Sequence, residues 1–298
     1  MAREIQCTNK TNNHSMTFGE NGFTPFLLAS VTGIYDSNNE VTMNDNTMSD
    51  GATYQGSTAQ KRNIVLSLLA DPRNDKSFIY NQDHRDDLRV LFQRGQQGEL
   101  IYTEDGVSRK INYYTESITR APKGSRLITV SLLCDNPFFR DIEDTYESMG
   151  QWIEQFEFDH EFPPAGEALE TRSDSQSINI VNDSGTEGAG FTITIRAADT
   201  VTNPTIFHLE QRKEITVGTN TRPFTMQAND ILTITTGRGN KHIKRTRGQI
   251  TTEVNSYLSP DSEFFQLSNG ENHISFGADS GESHMSVTVA YANEYEGA

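Results

Sequence analysis

The feature that most constrains this chain is a series of strict two-residue alternations in its second half. Phe191, Ile193 and Ile195 alternate with Thr192, Thr194 and Arg196, the pattern of a strand with one face in a core and the other in water. Met285, Val287, Val289 and Tyr291 repeat it against Ser286, Thr288 and Ala290. Ile178 with Ile180, Ile215 with Val217, and Ile231 to Ile234 read as further strands. Turn-forming clusters separate them: Asn182-Asp183-Ser184-Gly185, Thr200 to Pro204, Gly218 to Pro223, Gly237 to Asn240 and Ser280-Gly281. Short strands with regular turn signals and no helices between them predict a β-sandwich. Residues 175–298 are therefore expected to form one all-β domain.

The first 135 residues carry a different pattern. Strands are expected at Phe26–Thr32, Lys61–Ala70, Glu99–Thr103, Val107–Tyr113 and Leu127–Cys134. One helix is expected from His84 to Arg94, capped by Asp83, with Asp86 and Asp87 in its first turn and Gly95 at its end. Leu88, Leu91 and Phe92 stand at i, i+3 and i+4, so one face packs on a sheet. The chain thus reads as mainly β: an N-terminal β-barrel or sandwich (1–135) with one packed helix (84–94), then a connector (136–174), then the C-terminal sandwich (175–298). In the connector, eleven acidic residues face two arginines, and Trp152 is the single tryptophan of the chain. It reads as a short helix and an extended strand docked on a domain or a neighbouring copy, or as an acidic linker with a few buried anchors.

Charge and cysteine content narrow the function. The chain of 298 residues has 41 acidic and 25 basic side chains, a net charge of −16, which argues against a general nucleic-acid binder, and no sequence-specific nucleic-acid binding is expected. Cys7 and Cys134 are far apart in sequence, and Cys134 shares a face with Ile128, Val130 and Leu132, so it reads as a buried thiol. The N-terminus lacks the apolar core of a signal peptide, and no apolar run is long enough to span a membrane. Synthesis and folding in a cytosol, and no membrane partner, are expected.

Catalytic signatures are missing. The sequence holds no His-Glu-x-x-His, Gly-x-Ser-x-Gly, Walker loop or Cys-x-x-Cys. His160-Glu161 runs into Pro163-Pro164 and cannot form a zinc helix. The Asp- and Asn-rich stretches Asp36–Glu40 and Asn44–Asp50 lack calcium-loop spacing and read as solvated loops. No enzyme activity, metal or cofactor is expected. Two stretches instead suggest contact surfaces. The polar segment Asp36 to Gly56, with Asp36, Asn38, Asn39, Met43 and Met48, is long and poor in apolar residues between two clear strands. The cluster Arg238, Lys241, His242, Lys244, Arg245 and Arg247 resembles a basic hairpin tipped by Gly239-Asn240. Arg238, Lys241, Lys244 and Arg245, with Trp152, are the further candidates for partner or oligomer contacts.

A sharp corner lies near the end of the chain: Leu267-Ser268-Asn269-Gly270-Glu271-Asn272, leading into Ile274 and Phe276. Gly270 suits φ > 0 there, and Asn269 or Asn272 can bond the local backbone. This corner resembles the ending of the C-terminal galectin-like sandwich of phage distal tail proteins. Ser30 to Tyr35, Asp50 to Gly56 followed by Lys61 to Leu66, Arg85 to Phe92 then Gly98 to Tyr102, Arg109 to Glu116 and Leu132 to Phe139 are similar to that family's motifs, in order. So are Asn182 to Thr186, Asn203-Pro204 and Asp230 to Ile234. Asn136-Pro137 departs from the family, where an acidic residue before Pro is common.

The resemblance implies a structural virion protein, assembled in the bacterial cytoplasm and located at the tail tip. It implies a homohexameric ring whose N-terminal domain surrounds a channel for DNA. Its partners would be the tail tube protein, the tail-tip hub and, in many particles, receptor-binding and tape measure proteins. The competing expectation is a carbohydrate-binding β-sandwich for host-surface adhesion. Against it, the second domain has no Trp, and His208 with Glu210 reads as an ordinary strand pair.

Overall fold

A computed structural model of the chain describes residues 3–20, 26–35, 38–46, 50–70, 82–120, 126–150, 152–154, 170–172, 176–184, 186 and 188–298. The chain divides into two units. One comprises Met1–Ile142 with Glu294–Ala298, the other Glu143–Asn293.

The first unit runs β1 (Glu4–Asn9), β2 (Ser15–Gly19), β3 (Phe26–Thr32), β4 (Asn39–Asp45), β5 (Ala52–Ala59), β6 (Arg62–Ala70), α1 (Gln82–Leu91), β7 (Gln97–Glu104), β8 (Val107–Arg120), β9 (Leu127–Cys134) and β10 (Phe139–Asp141). Its main sheet has the order β10-β8-β7-β1-β2-β3-β6-β9, and β9 pairs again with β8. The sheet therefore closes on itself as a barrel. Closure depends on β8, which pairs with β7 over Val107–Tyr114 and with β9 over Tyr114–Arg120. A bulge between Thr115 and Ser117 separates the two registers, and such an extra residue bends and twists a strand.

Alternation decides what fills the barrel. Ile5 and Cys7, Ile64, Leu66 and Leu68, and Val130, Leu132 and Cys134 are buried on successive inward positions. Both thiols are free, and burial pushes the Cys134 thiol up to about 12. On α1, Leu88, Leu91 and the following Phe92 are buried, and Phe92 stacks on Phe18 with centroids 6.2 Å apart. The helix ends at Leu91 rather than Arg94. Asn9, at the end of β1, satisfies its terminus by donating to the Leu91 carbonyl at 3.1 Å.

The second unit contains β11 (Thr145–Met149), β12 (Trp152–Glu154), β13 (Glu170–Arg172), β14 (Ser177–Asn182), β15 (Phe191–Ala197), β16 (Val201–His208), β17 (Lys213–Thr216), β18 (Thr225–Met226), β19 (Ile231–Gly237), β20 (Asn240–Arg247), β21 (Ile250–Glu253), β22 (Gly270–Ser280) and β23 (Met285–Tyr291). A final strand, β24 (Glu294–Tyr295), pairs with β10 in the first unit. Two sheets, β11-β23-β15-β19-β20-β21 and β14-β22-β16-β17, form the sandwich. Ile193, Ile195, Ile234 and Val289 from one, with Ile206, Ile215 and Ile274 from the other, belong to one buried core.

One expectation changes here. Of the expected turn Thr200 to Pro204, Val201 to Pro204 instead begin β16, and Asn203 takes φ 50 within it. Asn203 is skipped in the β22 register, where Thr202 faces Ser280 and Pro204 faces Ala278, so the irregularity admits a proline into the strand. Within 136–174 the described residues form β10 to β13, and residues 155–169, where the rest of the expected helix and strand would fall, lie outside the described residues.

Candidate assembly surfaces

β4 and β5 form a two-stranded sheet of their own. Every residue of the pair is exposed except the half-buried Gly56. Polar side chains dominate because no core lies on either face, yet three large apolar ones remain. Met43 stands opposite Tyr54 in register, each 60% exposed, and Val41 is 49% exposed. Asn38 accepts from the Gln60 amide at 2.7 Å, closing the hairpin base, and Asn39 pairs with Ala59. Asp36 and Met48 lie outside the described residues. The sequence reading singled out Met43 but missed Val41 and Tyr54, whose signal is simply that they are large apolar residues in a polar stretch.

The basic cluster is a hairpin of β19 and β20, with Gly237 facing Asn240 at its end. Strand alternation splits its charges between two faces. Ile243 is buried, and Lys241, Arg245 and Arg247 share its side. Lys241 Nζ lies 5.8 Å from the Phe264 ring centroid and the Arg245 guanidinium 5.8 Å from that of Phe224. Arg247 binds the buried Asp230 carboxylate through two nitrogens, at 2.8 and 2.6 Å, which holds that carboxyl below its usual range. Lys244 is exposed on the opposite face, across from Glu253. Arg238 stands at the tip, and Trp152 faces Arg172 in the β12–β13 register.

The Leu267 corner is organised by a buried amide. Gly270 takes φ +88. Asn272 accepts from the Ser268 amide at 2.7 Å and donates to the Ser268 and Gly270 carbonyls at 2.9 Å. His208 Nε2 lies 2.9 Å from Asn272 Oδ1. That oxygen is an acceptor, so Nε2 carries the proton, and Nδ1 accepts the Gln211 amide at 3.3 Å. Burial lowers the His208 pKa, and Glu210 Oε2 lies 3.3 Å from Nδ1. His208 ends β16, and Glu210 sits in the turn beyond, bonding His273.

A second buried polar centre lies in the first unit. Arg62, 4% exposed, donates to Pro137 O at 2.6 Å, Gly33 O at 2.7 Å and Ile34 O at 2.9 Å, and also to Glu296 O. Among the described residues, no group of three or more His, Cys, Asp or Glu could hold a metal ion. Nor is any helix there long and apolar enough to cross a membrane.

A closed β-barrel unit with one helix, followed by a two-sheet β-sandwich, defines a mainly β, two-part fold. Residues 184–295 match the family model of the siphovirus-type tail component, C-terminal domain. The distal tail protein Dit (gp 19.1) of phage SPP1 shares the fold over 98% of this chain and 99% of its own, with a TM-score of 0.63 at 12% identity. A chain of the phage p2 baseplate in its activated conformation with Sr aligns over 100% of both chains, with a TM-score of 0.55 at 9% identity. No curated protein matches. The resemblance to distal tail proteins therefore holds, as a family match over 184–295 and as a fold over the whole chain. Together these findings support a structural component of a phage tail or baseplate.

Proposed function

We propose that this chain is the subunit of a hexameric ring at the distal end of a phage tail. The ring joins the tail tube to the tail-tip hub and leaves a channel for DNA. Tube, hub, receptor-binding and tape measure proteins are its partners, and it has no catalytic role. The observation that carries the reading is the β4–β5 hairpin. A lone two-stranded sheet is at best marginally stable in water, and this one holds Val41, Met43 and Tyr54 exposed. Docking on a neighbouring copy would bury them, and a head-to-tail contact of that kind closes into a ring when its rotation divides the circle.

Native mass spectrometry of the purified protein tests the ring. A six-subunit mass that collapses to monomer on deletion of Asn38–Asp50 is expected. An unchanged hexamer after that deletion would remove the hairpin from the interface. The competing reading, a glycan-binding sandwich, is favoured by one specific groove, described next.

A further inference from the structure

In the second unit, the segment before the Leu267 corner, the start of β17 and the start of β20 border an open groove of about 280 Å³. Gly188, Gln211, Lys213, Lys241, Phe264 and Gln266 give it its chemistry. The protein itself orients both glutamine amides. Gln211 Nε2 donates to Gln266 O and to Ser268 Oγ, each at 2.7 Å. Gln266 Nε2 donates to the Thr236 carbonyl at 3.1 Å. With the nitrogens committed to the protein, each amide offers its Oε1 as an acceptor.

Gly188 lets the ends of the Gln266 and Arg238 side chains lie against its backbone. It takes φ +81, and a Cβ there would lie 2.8 Å from Gln266 Oε1 and 2.7 Å from Arg238 Nη2. Phe264 is half-buried against the core, with Lys241 Nζ 5.8 Å from its ring centroid. Lys213 pairs with Glu263 at 2.6 Å, and the Glu263 side chain is 65% exposed. Such surface pairs contribute little, so a ligand anion can replace the glutamate.

Each feature alone is unspecific. Ammonium groups attract any anion, an aromatic face takes any apolar surface, and amide oxygens accept from any hydroxyl. Their convergence in one groove selects a ligand with hydroxyl donors, a C–H face and a negative group. We propose that this groove binds a sugar or polyol unit bearing a phosphate or carboxylate, as in charged polysaccharides. The site lies in the second unit and does not depend on the ring reading.

The test is titration calorimetry of the full chain with poly(glycerol phosphate), oligogalacturonate and neutral maltotetraose. Saturable binding of one of the two anionic probes is expected, and which one binds distinguishes phosphate from carboxylate. Charge-assisted hydrogen bonds are the stronger kind, so K213Q/K241Q is expected to weaken binding about tenfold or more. F264A should weaken it too, whereas K244Q, on the other face, should leave it unchanged. The proposal fails if no probe binds or if maltotetraose binds equally well. It also fails if K213Q/K241Q binds like wild type, or if K244Q loses as much, which would mean diffuse cationic adsorption. Native mass of the same samples reads the ring separately, so the failure of one idea does not hide in the other.

Discussion

At the residue scale, the second unit depends on polar side chains buried at its corner. Asn272 is fully buried and serves the Ser268 amide, the Ser268 and Gly270 carbonyls and His208 together. Replacing it with Ala leaves several of these groups without partners in a dry site. Asn272→Ala is expected to destabilise the protein by about 3 kcal/mol or more, checked by denaturant unfolding. His208 adds a pH dependence. Its pKa is lowered in the fold, first by burial, while Glu210 and Asn272 raise it and Lys213 lowers it. Below its ordinary value of 6.5 the unfolded chain takes up a proton that the folded ring resists. Stability is thus full above about pH 6.5 and falls on acidification below it. The measurement is unfolding free energy between pH 7.5 and 5, and His208→Gln should flatten its slope. The Gly270 turn and the bonding by Asn272 were legible in the sequence, because both act within a few residues. The link to His208, 64 positions away, was not, since only the packing of β16 against β22 creates it.

At the element scale, legibility followed the source of each strand's stability. β3 and β9 were read with the bounds they have, and β15, β19 and β23 were found, because Val, Ile and Leu alternate along them. β1 was missed because its inward positions are Ile5, Cys7 and the polar Asn9. The first half of β16 was hidden by Pro204, whose missing N–H is the usual sign against a central strand. β4 and β5 belong to a third kind. Their polar sequence carries no core signal, since nothing in their own chain covers either face. Their exposed Met43 and Tyr54 give a sharper test than deletion. Met43→Asp removes no buried contact within the chain, so the melting temperature of the dissociated subunit should stay within about 1 °C of wild type. The same substitution places a charge at the proposed ring contact and should shift the native mass distribution from hexamer toward monomer. A variant that keeps the hexamer would show that this face of the hairpin is not the contact.

At the scale of the whole molecule, the chain leaves the first unit after Ile142 and returns to it at Glu294. The second unit is thereby inserted in the first, and no sequence pattern announced the return. Of the returning residues, Glu294 is buried and Glu296 exposed, and the segment meets two arginines. Glu296 O accepts from Arg62, and the Arg109 guanidinium lies 3.6 Å from the Tyr295 ring centroid. Glu294–Tyr295 also adds an outer strand beside β10. Deleting Glu294–Ala298 takes one acceptor from a buried guanidinium, where bonds to charged groups are worth about 1.5–3 kcal/mol, and exposes part of the Arg62 site to water. A loss of about 2–3 kcal/mol in the first unit is expected, lowering its transition by roughly 4–10 °C. The second unit keeps its own core of Ile193, Ile234, Val289 and Ile274 and should melt where it did before. Calorimetry resolving two transitions, of which only one moves, would make the C-terminal strand a staple of the barrel. A uniform shift of both would mean instead that the two units unfold together, and the cost could not then be assigned to Arg62 and its partners.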